Sequence, residues 1–355
     1  MYNLKVKNFA VLKDIDIILN KINLFIGDNG SGKSILAKII TIVTSFDKYN
    51  DSFLDEFKKF DIDFIEDNTI IEFLDIQNNI LLFTIKNKNI NFNSVVLKDI
   101  EVRRKNNSFL ESFENPENIL PKYFISQYIP AERNLVSILN KSIYSLITSD
   151  IPLPRHLLTF ASSYEKAKSE IKELKVLDMK FISKNGQDRI YYNEDEFLPL
   201  EESSSGMQTA LPLYLTLRYF SYKHHHIIIE EPEQNLYPRN QIETIKYIVE
   251  NSHQNLYLMT HSPYVLSVLN ILLFAYKISD TNDILKEKIT ALIPSSQHIN
   301  PVEFSGYLIK NGKSIDIKSK TTGMINQNVI DDISDDIDDI FNDMMQLYRA
   351  FKNDQ

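Results

Sequence analysis

An α/β fold with a mainly parallel core sheet is the architecture this sequence predicts, on three observations. Gly27-Asp28-Asn29-Gly30-Ser31-Gly32-Lys33-Ser34 fits the pattern G-x-x-x-x-G-K-[ST]. Ile22-Asn23-Leu24-Phe25-Ile26 ahead of it reads as a short buried strand, and Ile35, Leu36, Ile39, Ile40 and Val43 after it recur at helical spacing. Further on, Ile227-Ile228-Ile229-Glu230-Glu231 is an apolar run ending in two acids, where open α/β sheets place their chemistry.

A strand, a glycine loop and a helix N-terminus make an anion site, because successive backbone N–H groups wrap a phosphate and the helix dipole favours its charge. Asn29, Gly30 and Gly32 belong to that loop; Lys33 reaches β/γ-phosphates and the Ser34 hydroxyl ligates Mg²⁺. The expected ligand is a nucleoside triphosphate. No Asn-Lys-x-Asp sequence reads a guanine, so ATP is favoured.

Composition narrows the classes. The 355 residues are 43% hydrophobic and 25% charged, an ordinary globular balance for one large domain or a domain with a substantial lobe. Lys and Arg number 39 against 48 Asp and Glu, a net −9, which argues against a uniformly basic nucleic-acid coat and leaves a local basic groove open. With no cysteine, thiolate metal sites, disulfides and cysteine nucleophiles are excluded. Met1–Asn8 lacks the pattern of a signal peptide, and apolar runs fall short of the roughly 18 to 20 residues of a spanning helix. A cytoplasmic protein with no membrane partner is expected.

In chain order, Leu4, Val6 and Phe9 suggest one strand, and Ile15, Ile17 and Leu19 a second leading into the strand at Ile22. Asp55–Asp67 is helical or loop-like, and Ile70–Phe92 reads as a hairpin about Gln77-Asn78-Asn79. Lys98–Asn107, with Arg103, Arg104 and Lys105, reads as a solvated strand or loop edge, with a DNA or partner contact as the alternative. Tyr123–Ser126 is a buried strand followed by Gln127 and, beyond Pro130, by Arg133, a second positive group placed to reach phosphate. Ser163–Leu177 is expected as a helix, and Asn185-Gly186 as a hairpin turn.

Ser203–Gln208 opens a helix that runs through Tyr219, its serines serving as N-caps. His224, His225 and His226 alternate faces along a strand and cannot all hold one ion. Gln241–Asn251 is an amphipathic helix, and Asn255–Thr260 a core strand that delivers His261 to its C-terminal end. A segment of little pattern spans 280–298. Gly306–Ile309 and Ser314–Ile317 flank Asn311-Gly312 as a hairpin, and Ile330–Phe341 is an amphipathic helix with an acidic outer face.

The order of these motifs resembles an ABC-type ATPase head, most closely the AAA-labelled single-chain relatives of RecF, SMC and OLD proteins. Ser205-Gly206-x-Gln208 matches the signature S-G-G-Q with Met207 in place of the second glycine, Ile-Glu-Glu-Pro-Glu matches the Walker B strand, and Thr-His-Ser-Pro the switch. The resemblance implies that Glu230 holds Mg²⁺, that Glu231 orients or deprotonates the attacking water, that Gln127 touches both metal and water, and that His261 contacts the γ-phosphate. It implies a head-to-tail homodimer sandwiching two ATP molecules, with higher oligomers open, in which Ser205, Gly206 and Gln208 complete the partner's site. A separately encoded effector such as a nuclease or toxin, or DNA, is the expected partner, in anti-phage defence or DNA repair.

The expected layout is one ATPase head over 1–355: a nucleotide-binding core from 1–44, 120–135 and 224–275, a β-rich lobe at 45–119, a helical signature lobe at 136–223, and a C-terminal extension at 276–355. The core carries an N-terminal antiparallel β-subdomain. Two other readings stand beside the ATPase: a non-hydrolysing ATP-switched scaffold, and an OLD-type ATPase-nuclease. The second lacks a strand-Glu and strand-Asp-x-Asp arrangement, since Asp336-Ile337-Asp338 lies in a helical pattern.

Overall fold

The computed structural model describes residues 1–45, 48–49, 52–105, 125–138, 153–184, 186–223 and 225–326. Strands β1 (Tyr2–Phe9) and β2 (Leu12–Leu19) precede β3 (Ile22–Ile26) and helix α1 (Lys33–Val43). Helix α2 (Phe53–Lys59), strands β4 (Ile70–Asp75), β5 (Ile80–Lys86) and β6 (Asn89–Phe92), and helix α3 (Ser94–Lys105) follow. Next come β7 (Ser126–Ile129), α4 (Leu135–Ile138), α5 (Arg155–Glu170) and the short strands β8 (Glu173–Val176), β9 (Met179–Lys184), β10 (Gln187–Tyr191) and β11 (Phe197–Pro199). The chain closes through α6 (Ser205–Ser221), β12 (His226–Glu230), α7 (Pro238–Glu250), β13 (Leu256–Thr260), α8 (Pro263–Ser279), α9 (Asp283–Leu292), β14 (Phe304–Lys310) and β15 (Lys313–Asp316).

Eleven strands form one sheet in the order β6-β5-β4-β1-β2-β15-β14-β3-β13-β12-β7. Its β14-β3-β13-β12-β7 half is parallel, and its β6-β5-β4-β1-β2 half antiparallel. The predicted α/β class with an N-terminal antiparallel portion is what the chain forms. The parallel strands are apolar along their length because helices cover both faces. Alternate residues feed two cores: Ile227, Ile229, Leu256 and Leu258 pack on one side with α6, α7 and α8. Ile228, Tyr257 and Met259 pack on the other with Leu36, Ile39 and Val43 of α1. Each such side chain, fully buried, contributes about 1.5–3 kcal/mol.

Several expectations are corrected. The expected C-terminal extension supplies two strands of the central sheet: β14 lies beside β3, and β15 separates it from β2. β2 therefore does not neighbour β3, although only two residues separate them in the chain. The expected helical signature lobe also holds a four-stranded antiparallel sheet, β11-β10-β9-β8. The predicted helix at Ser163–Leu177 starts earlier and stops at Glu170, because Leu174 and Val176 are drawn into pairing with β9. Lys98 lies on α3 rather than a strand or loop; Val96 and Ile100, one turn apart, are buried, and the Asn93 side chain accepts from Val95 N at 3.0 Å. The span 280–298 contains α9, capped by Asn282, whose side chain accepts from Ile284 N and Leu285 N. Tyr123, Phe124, Asn185, His224 and the Ile330–Phe341 helix lie outside the described residues.

The β14–β15 turn fastens the two halves of the sheet. Asn311 and Gly312 take φ of 55° and 76°, the two positive values of a type I′ hairpin. The Gly312 carbonyl accepts from Lys13 N at 2.8 Å and Asp14 N at 3.0 Å. A Cβ at Gly312 would stand 2.4 Å from the Val11 carbonyl oxygen. Gly312→Ala is therefore expected to lower stability by about 1–3 kcal/mol in urea unfolding; an unchanged midpoint would mean the turn does not hold this contact.

Candidate active site

The loop after β3 is shaped by glycines. Gly30 and Gly32 have φ of 76° and 102°, and a Cβ on Gly32 would lie 2.6 Å from Leu12 Cδ2. A Cβ on Gly27 would lie 2.3 Å from the Ile309 carbonyl oxygen, so the loop presses against β14 where only glycine fits. Gly32 is the N-cap of α1, and the first turn of that helix carries no acid. Backbone N–H groups and the positive helix end thus face the loop's concavity. Asn29 and Ser34 are exposed on its rim.

Lys33 folds back over this loop. Its Nζ donates to Gly27 O at 2.6 Å and Asp28 O at 2.9 Å, and it stands 3.3 Å from His261 Nδ1. Burial lowers its pKa to about 8, opposed by the charges of Glu231, Asp28, Glu230 and Glu233. An ammonium has donors only, so His261 Nδ1 accepts, and the proton of the neutral ring sits on Nε2. That nitrogen faces Glu231 Oε1 at 3.4 Å.

Glu230, at the end of β12, and Glu231, just past it, differ in environment. Glu230 ends β12, is 4% exposed, and accepts from Tyr128 Oη at 2.7 Å. Burial raises its pKa, while hydrogen bonds from Tyr128 and Ser34 oppose the rise. Glu231 is partly exposed and leaves the strand at a φ of 43°, with its N–H donated to Met259 O at 2.8 Å. Glu233, to which sequence reasoning assigned no role, orders the switch turn: its Oε1 accepts from Thr260 Oγ1 at 2.7 Å, His261 N at 2.8 Å and Ser262 N at 3.1 Å. The Glu-Glu-Pro-Glu spacing carried that signal. Tyr128 was also missed, and its position on β7, paired with Ile228 of β12, would have pointed to it.

Lys33, Ser34, Glu230, Glu231 and His261 therefore meet at one rim. Gln127 does not join them. β7 begins at Ser126, later than predicted, so Gln127 is the strand's second residue, level with Ile227 and below the rim. Its side chain is buried and donates to Tyr128 O at 2.9 Å. Arg133 is also corrected: its guanidinium, fully buried, donates to main-chain carbonyls rather than facing the loop.

At the N-terminus of α6, Ser204 caps the helix by accepting from Met207 N. Met207 is 2% exposed in the core, so the glycine departure points inward and leaves Ser205 exposed at the helix tip. Gly206 sits against the loop after β12, where a Cβ would meet Asn235 O at 3.0 Å. Gln208 turns back, its Nε2 donating to Glu201 O at 3.0 Å and Ser203 O at 3.1 Å. Among the described residues, no group of three or more His, Cys, Asp or Glu is arranged to hold a metal by itself, and no helix is long and apolar enough to cross a membrane.

Residues 153–266 match the family model of an AAA ATPase domain. No curated relative matches the chain in sequence. Among solved structures, the SMC head domain from Thermotoga maritima is 16% identical, covering 90% of this chain and 98% of its own, with a TM-score of 0.44. CbiO1 from Clostridium perfringens, part of the ABC transporter complex cbiONQ, is 14% identical, covering 88% of this chain and 87% of its own, with a TM-score of 0.34. The glycine loop after β3, the paired acids after β12 and the histidine after β13 stand on one mainly parallel sheet, and within the chain residues 153–266 are similar to an AAA ATPase domain.

Proposed function

We propose that this protein binds ATP with Mg²⁺ and hydrolyses it between two copies of itself, using closure and opening to gate a partner effector or DNA. The observation that carries the reading is the convergence of Lys33, Glu230, Glu231 and His261 on the ends of adjacent strands, with the Ser205–Gly206 tip exposed elsewhere. The residues fit the ligand: Gly30 and Gly32 give the loop its two positive-φ turns, and Ser34 and Glu230 offer hard oxygen donors joined by a hydrogen bond. Gly30, Gly32 and Lys33 would hold the phosphates, and Ser34 and Glu230 the metal. Held by Ser34 and Glu230, Mg²⁺ would supply positive charge to offset that of the phosphates.

The chain's own groups supply the rest. Glu231, partly exposed beside His261, accepts the proton of the attacking water. His261, holding Nε2–H toward Glu231, orients that carboxylate and passes polarity between it and Lys33. Lys33 moves from the Gly27 and Asp28 carbonyls to phosphate oxygens, exchanging dipoles for full charges. Gln127, buried on β7, stays outside this set. The partner copy's Ser205 and Gly206 would close the site, since a helix tip bearing exposed N–H groups is a second anion cradle.

The motif order shared with RecF-, SMC- and OLD-like heads supports DNA repair or anti-phage defence as the setting. Lys33→Ala is expected to abolish ATP binding; heat of binding retained in a calorimeter would remove the phosphate role. Glu231→Gln should bind ATP and accumulate as a dimer by light scattering, with phosphate release down by about 100-fold or more. Ser205→Arg should keep one nucleotide bound per chain yet fail to dimerise, and undiminished turnover in this variant would end the shared-site reading. ATP-dependent dimerisation without phosphate release would instead assign the wild-type protein as an ATP-switched scaffold.

A further inference from the structure

Arg133 is the largest fully buried side chain of the described residues, and it serves neither phosphate nor carboxylate directly. Its Nε donates to Thr209 O at 3.3 Å, and Nη1 to Pro130 O at 3.1 Å and Glu230 O at 2.7 Å. Nη2 donates to Glu231 O at 2.6 Å. One rigid fork thus joins three segments: its own turn after β7, the end of β12, and the early turns of α6.

Two features make this more than core filling. Glu231 has a φ of 43°, a conformation costing a side-chain-bearing residue about 1–3 kcal/mol unless its surroundings hold it. The charged bond to its carbonyl is such a hold. Thr209 in turn bonds the Ser205 carbonyl through Oγ1 at 2.8 Å, and accepts there from Asn235 Nδ2 at 3.0 Å. A continuous path therefore runs from the Ser205 tip through Thr209 and Arg133 to the Glu231 backbone. Ser137 adds a parallel strut, donating to Gln208 O at 2.8 Å.

We propose that Arg133 is a positioning residue that locks the Glu231 turn and couples it to the Ser205–Gly206 tip, so that engagement of the tip sets the carboxylate beside His261. This rests on the ATPase reading for its catalytic consequence, and on geometry alone for the coupling. A lysine keeps the charge but cannot reach four carbonyls in three segments. A glutamine offers two donors and no charge.

Arg133→Lys and Arg133→Gln in the full chain test it by two readouts. Without nucleotide, amide hydrogen exchange of 205–212 and 230–236 should quicken together by about ten- to a hundredfold in Arg133→Gln, and less in Arg133→Lys, while 27–36 and the β8–β11 sheet stay unchanged. With ATP, affinity should hold while kcat falls by about 100-fold, as a misplaced general base predicts. Exchange quickening evenly over the whole chain, or only one of the two segments responding, would overturn the coupling; an unaltered kcat would overturn the positioning role. A wild-type protein that releases no phosphate removes the ATPase reading instead, and the exchange measurement still decides the coupling.

Discussion

The constraint on which the site depends is the common level at which three parallel strands stop. Ile26 of β3 lies opposite Thr260 of β13, and Met259 opposite Glu230 of β12, so the glycine loop, the acids and the histidine leave the sheet side by side. A slip of one residue in either pairing would turn every apolar side chain to the wrong core and carry the polar ends apart. Register is held by apolar packing on both faces. The chemistry is thus positioned by residues that have none of their own.

Within that frame the charges are arranged in opposition. Glu230 is buried, which raises its pKa against the opposing hydrogen bonds of two hydroxyl donors, whereas Glu231 stands half open beside an imidazole. The pair can divide the work because their surroundings differ, one suited to holding a cation and the other to handling a proton. Lys33 rests on carbonyl dipoles at the loop, a weaker set of partners than a polyphosphate would provide. The cluster is poised for a ligand with charge opposite to its lysine and helix tip.

What could be read beforehand was local. The glycine loop, the isoleucine run before Glu230 and the strand before His261 each carry their signal within a few consecutive residues. Long-range pairing was not legible: nothing in Phe304–Lys310 says that it lies between β2 and β3. Gln127 misled because the strand start was read from Tyr123, and a shift of that size takes a side chain off the rim. Arg133 misled for another reason. A cation near a phosphate loop suggests an anion partner, but here its partners are carbonyls, three of the four from distant segments, and such partners leave no trace in neighbouring residues.

The placement of β14 has a consequence for synthesis. β3, made within the first thirty residues, has one sheet neighbour from residues 256–260 and the other from 304–310. A nascent chain emerging from the ribosome therefore carries the glycine loop before its supporting strands exist, and the apolar edges of β3 stay open until residues 256–260 and 304–310 have been translated. Pairing between segments so far apart in the chain is the kind that closes slowly, and an open apolar edge is the surface most prone to aggregate meanwhile.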